Sequence, residues 1–112
     1  MKLIIYAGGE YTTGDEIAAA LLEYSKGLAE EDRAETIEIP ILNEDGSTGT
    51  AMFLVGPASQ IAAKDIETGS EELRAPEAVA RLRRLTGELH AVVRPETTRD
   101  ANTAGWVADD EF

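Results

Sequence analysis

The chain has no cysteine, one histidine, one tryptophan and four prolines in 112 residues. Without cysteine it has no disulfides, no thiolate metal ligands and no thiol nucleophile, which fits a reducing compartment such as the cytoplasm. The lone histidine, His90, excludes histidine-rich metal sites and paired-histidine chemistry. Long hydrophobic runs are also missing. Leu3-Ile4-Ile5-Tyr6 ends at Ala7-Gly8-Gly9, far short of a signal-peptide core or a membrane span, so no membrane partner is expected. Basic residues are scarce, 10 against 22 acids, and the net charge of −12 repels phosphate backbones and anionic lipid. Direct binding of nucleic acid is therefore not expected.

What is present is enough to fold. With 43% hydrophobic residues the chain can offset the conformational entropy of ordering a single core of ordinary domain size. Charge is unevenly spread: residues 1–72 carry a net −11, residues 73–99 a net +3 and residues 100–112 a net −4. The middle block holds Arg74, Arg81, Arg83, Arg84, Arg94 and Arg99, whose simplest role is pairing with nearby carboxylates on a solvated surface.

The apolar run Leu3–Tyr6, closed by two glycines, predicts a buried strand. Thr13-Gly14-Asp15-Glu16 has the spacing of a capping box, and Ile17, Leu21, Tyr24 and Leu28 then recur on one helical face to about Glu30. Gly27 lies inside that helix at a propensity cost of about 1 kcal/mol relative to alanine. From Glu35 to Leu42 the isoleucines Ile37, Ile39 and Ile41 alternate with Thr36, Glu38 and Pro40, the pattern of a half-wet strand, with Pro40 suited to an edge or a strand end. Asn43–Ser47 supplies a turn, Thr50–Val55 a returning strand, and Gln60–Ile66 a further, weaker one. A second helix starts at Pro76 with Val79, Leu82, Leu85 and Leu89 as its stripe, and Leu89–Val93 reads as a last strand.

Strand, helix, strand, strand, helix, strand is the α+β, ferredoxin-like split βαβ series (βαββαβ): an antiparallel sheet with two helices on one face and one extra strand possible. The domain is expected to span residues 1–95, followed by an acidic tail over 96–112. With an open sheet face, Ile37, Ile39, Ile41 and the Phe53 strand could bury part of it in a homodimer.

Candidate chemistry is thin. Gly8–Gly14 leads from a strand to a helix start but lacks the lysine of a Walker loop and the three spaced glycines of a dinucleotide fingerprint, and Glu10, Asp15 and Glu16 would oppose a phosphate. The acidic turn Asn43–Ser47 is too short for an EF-hand, so no metal and no cofactor are expected. His90 has no evident orienting partner for general-base work.

The tail couples Trp106 to Asp109, Asp110, Glu111 and Phe112, apolar groups beside clustered negative charge, as suits docking in a basic, apolar groove. In outline these few residues resemble the acidic, aromatic-ended tails of bacterial single-strand-binding proteins. The rest of the chain has neither the barrel pattern nor the basic groove of that family, and no role is carried over. The reading that follows is a non-catalytic protein-interaction or regulatory module, presenting acidic surface to a basic partner or self-associating through opposite patches. Its candidate binding residues are Trp106, Asp109, Asp110, Glu111 and Phe112 with Arg83 and Arg84; mimicry of nucleic acid by surface carboxylates is a special case. The alternative is a small ligand-binding domain or enzyme that holds an anion between the Gly8–Thr13 loop and the arginines of the second helix.

Overall fold

The computed structural model describes the backbone of residues 1–93 and the side chains of residues 1–89. The chain is α+β: β1 (Lys2–Tyr6), β2 (Gly9–Thr13), α1 (Asp15–Glu30), β3 (Glu35–Leu42), β4 (Thr48–Val55), β5 (Ile61–Asp65) and α2 (Pro76–Val93). All strand pairings are antiparallel, in the order β4-β3-β2-β1-β5. The ferredoxin-like series is therefore corrected in two places. Gly9–Thr13 is a strand, not a loop, and Leu89–Val93 continues α2 instead of forming a strand.

Both corrections have local causes. Tyr6 pairs with Gly9, so Ala7 and Gly8 alone turn the chain, at φ 52° and 82°. Positive φ at both central residues is the type I′ geometry whose twist matches two paired strands. In α2, Leu85 and Leu89 keep the helical period going from Val79 and Leu82, and that stripe overrides the short β-like run that ends in Val92 and Val93.

The core lies on one face of the sheet. Ile4, Ile37, Ile39, Phe53 and Val55 meet Ile17, Leu21 and Leu28 of α1 and Leu82 and Leu89 of α2. Each fully buried Ile or Leu contributes about 1.5–3 kcal/mol relative to exposure. Gly27, a weak helix former, sits in the contact between the helices: a Cβ there would stand 3.0 Å from Leu89 Cδ1. Its absent side chain sets the α1–α2 spacing.

The start of α1 also differs from the capping-box reading. Gly14 is the N-cap and makes no side-chain cap. Thr13 is fully buried and its hydroxyl donates to the Pro40 carbonyl at 2.7 Å. The Asp15 N–H is instead capped by the Glu72 carboxylate, from the loop before α2. That loop lies so close that a Cβ on Gly14 would fall 1.9 Å from the Leu73 carbonyl oxygen. The Met1 amino group joins the cluster at 2.9 Å from Glu72 and 3.0 Å from Asp15.

The sheet is rolled. On a flat sheet β4 and β1, three places apart, would stand about 14 Å from each other. Yet the Phe53 ring of β4 lies 5.5 Å from the Tyr6 ring of β1 and 5.1 Å from that of Tyr11, centroid to centroid. The bend is at the β2–β3 junction, where Thr12 and Leu42 form the sole pair.

Candidate functional site

Among the described residues the single β2–β3 pair leaves most of β3 without a strand partner on its second side. The Pro40 carbonyl takes the Thr13 hydroxyl, and the Glu38 carbonyl takes Arg81 Nη2 of α2 at 2.8 Å. Proline suits this position, since the missing N–H would have had no strand to bond.

These contacts set the polarity of the edge strand. Hydrogen bonding alternates along an antiparallel pair, so when the even-numbered Glu38 and Pro40 point away from β4, the odd-numbered residues of β3 bond to it. Their partners are Val55, Phe53, Ala51 and Gly49. The N–H and C=O groups of Thr48, Thr50, Met52 and Leu54 therefore point to the open edge. The Leu54 carbonyl is taken by the Tyr6 hydroxyl, the contact that closes the roll. Among the described residues nothing pairs with the edge from Thr48 to Met52.

Side chains follow the same parity. Ala51, Phe53 and Val55 are buried, whereas Met52 and Leu54 are 63% and 62% exposed. With Ile5, 37% exposed, these are the large exposed hydrophobics among the described residues. Ile5 and Leu54 share a groove of about 690 Å³, lined also by Tyr6, Pro57, Ala58 and Ser59. Within it Ser59 Oγ accepts from the Gly56 N–H at 2.9 Å and lies 3.3 Å from the Tyr6 hydroxyl. The dimer surface expected of Ile37, Ile39 and Phe53 is corrected: they face the core, at 5%, 0% and 3% exposure. The available face carries Thr36 and Glu38 of β3 beside Leu54 and Met52 of β4.

Arg83, Arg84 and Arg33 each face one carboxylate. Arg83 Nη1 stands 3.7 Å from Glu23 of α1, Arg84 Nε 3.9 Å from Glu88 one turn on, and Arg33 Nη2 2.9 Å from Glu35. Arg81 Nε is buried without a partner although its Nη2 is bonded. Neither Arg83 nor Arg84 lines any of the four principal grooves, and the sealed Thr13 is closed to ligand. His90 lies on α2, with only its backbone described. Trp106, Asp109, Asp110, Glu111 and Phe112, with the expected boundary near residue 95, fall outside the described residues.

The shifted carboxylates are structural ones. Glu72 is held below its ordinary range first by the Asp15 N–H and then by the Met1 amine. Asp45 is lowered by the Ser47 hydroxyl and N–H in the β3–β4 turn, and Asp65 by Lys2, its direct cross-strand neighbour. Among the described residues no group of three or more His, Cys, Asp or Glu is placed to hold a metal ion, and no helix is long and apolar enough to cross a membrane.

The surface of β4 was reachable from sequence. Thr48–Val55 alternates strictly, so fixing Phe53 in the core puts Met52 and Leu54 outside. β4 is also the one strand of the five without a charged residue: β1 has Lys2, β2 Glu10, β3 Glu35 and Glu38, and β5 Lys64 and Asp65. Comparison with family models, with curated proteins and with solved structures found no match.

Proposed function

We propose that the chain is a non-catalytic protein-interaction module whose contact surface is the uncovered side of β4. The observation that carries this reading is the exposure of Met52 and Leu54 on an uncharged edge strand whose outward backbone groups from Thr48 to Met52 have no strand partner among the described residues. Natural edge strands are commonly guarded by lysine, proline, a bulge or a covering element; β4 has neither lysine nor proline and pairs with β3 in unbroken register. The ligand-binding or enzymatic alternative, an anion held between the Gly8–Thr13 segment and the second-helix arginines, is not favoured. Thr13 is committed to Pro40, and Arg83 and Arg84 face carboxylates.

Contact through β4 differs from binding of a basic partner in its response to salt. Charge attraction between exposed groups fades beyond the Debye length, about 8 Å at physiological ionic strength, whereas apolar burial and strand pairing do not depend on it. The test is chemical cross-linking of the purified chain with sedimentation velocity across a salt series. Complexes that persist at about 0.5 M salt and disappear in Met52→Asp/Leu54→Asp support the reading. Complexes indifferent to that double substitution, or monomer at every concentration together with no foreign protein bound through β4, overturn it.

A further inference from the structure

The features of β4 that mark it as a contact surface also select its occupant, and we infer that this is a second copy of the same chain, paired antiparallel through β4 about a two-fold axis at Thr50. The inference rests on the reading of β4 as a protein interface and goes further by naming the partner and the register.

Charge selects the partner. At −12, two copies repel each other wherever they present carboxylates, and four of the five strands carry charged side chains. β4 has none over eight residues. A basic protein drawn by the acidic surface would settle against the carboxylates and gain nothing from this strand. A copy can approach here without facing like charge from the strand itself.

Backbone polarity selects the register. In an antiparallel pair, residues directly opposite lie on the same face, and the pairs that exchange hydrogen bonds are those whose N–H and C=O point toward each other. On the open edge these are the even-numbered residues. Leu54 already gives its carbonyl to Tyr6, so the open stretch is Thr48 to Met52, centred on Thr50. Pairing Thr50 with Thr50 of the partner subunit sets Thr48 against the partner's Met52, and Gly49 against the partner's Ala51. Small residues at the centre allow close approach, and the exposed Met52 covers the Thr48 side chain opposite. The arrangement is isologous and closes at two copies.

The absence of cysteine makes a direct test possible. A single Thr50→Cys substitution is the sole thiol in the chain, and in this register the two Cα atoms lie about 5.5 Å apart, within disulfide range. Glu16→Cys, exposed in the first turn of α1, is the control. Under mild oxidation Thr50→Cys is expected to form disulfide dimer at least roughly tenfold faster than the control, because association raises the thiols' effective concentration toward the millimolar range. Thr50→Pro removes an outward N–H without breaking the β3–β4 ladder, and Thr50→Lys adds a guarding charge. Both are expected to sediment as monomers with unchanged circular dichroism; Thr50→Lys and Thr50→Cys decide the matter if the proline variant fails to fold. Wild-type association with no preference for Thr50→Cys, or persisting in Thr50→Lys, overturns the β4 pairing while leaving β4-independent interaction to be located. Monomeric wild-type chain at hundreds of micromolar, on the order of the weak end of specific association, overturns the pairing and, if no foreign protein binds β4, the proposed function with it.

Discussion

The Tyr6 hydroxyl donates to the Leu54 carbonyl and joins β1 to the edge strand across the two strands between them. This one contact closes one end of an otherwise open edge. Tyr6→Phe removes the donor but keeps the ring against Phe53. The expected loss is about 0.5–1.5 kcal/mol of unfolding free energy, the net value of a typical hydrogen bond, read from urea denaturation with an unchanged m-value. A free Leu54 carbonyl also lengthens the open edge, so self-association of this variant should not weaken.

Gly14 is required by the loop and not by its own backbone angles. Its φ of −74° suits any residue, but a Cβ would overlap the Leu73 carbonyl oxygen and crowd Glu72. Gly14→Ala should push the loop away from α1 and cost about 1–3 kcal/mol, the usual range for overpacking. Loss of the Glu72 cap would show as faster amide exchange at Asp15.

Acid weakens the same junction in a predictable direction. Glu72 titrates below its ordinary value of 4.5, chiefly because its charged form accepts the Asp15 N–H. A carboxyl whose folded pKa is depressed stabilises the fold fully above the unfolded value and loses that contribution as pH falls through the folded value. The stability difference between wild type and Glu72→Gln should therefore be constant near neutrality and shrink from about pH 4.5 downward, measured by thermal unfolding at a series of pH values. A difference that grows toward acid would contradict this cap.

The β1–β2 turn offers a gain. Ala7 occupies left-handed space at φ 52°, which costs an L-residue with a Cβ about 1–2 kcal/mol. Ala7→Asn gives the Asn-Gly pair favoured in type I′ turns. It is expected to raise the unfolding free energy by about 0.5–1 kcal/mol, seen as a higher midpoint in chemical denaturation.

Much of the fold was legible because its periodicities are strong. Ile17 to Leu28, the Ile37–Ile41 alternation and the Pro76 helix start all occur as read. β2 was hidden because it buries little: Glu10 is exposed, and Tyr11 and Thr13 alone face the core, so no apolar alternation announces it. The readable cue was the two-residue interval, with glycine at its second position, between Tyr6 and Gly9. The α1 cap was invisible because its carboxylate comes from 57 residues away. The contact surface is half legible: the alternation of the β3–β4 hairpin is plain in the sequence, but it does not say whether Ile37 and Ile39 or the residues between them face water, and only the three-dimensional cover of α1 and α2 decides which face is wet.

Amide hydrogen exchange along β4, followed as the chain is concentrated, reads the proposed pairing residue by residue. Gly49, Ala51 and Phe53 bond inward to β3 and should be protected at every concentration, whereas the outward N–H groups of Thr48, Thr50 and Met52 should exchange freely in dilute solution. Thr48, Thr50 and Met52 are expected to gain protection together as concentration rises, and Thr50→Lys to abolish the gain. Free exchange at all three positions at every concentration would contradict that pairing.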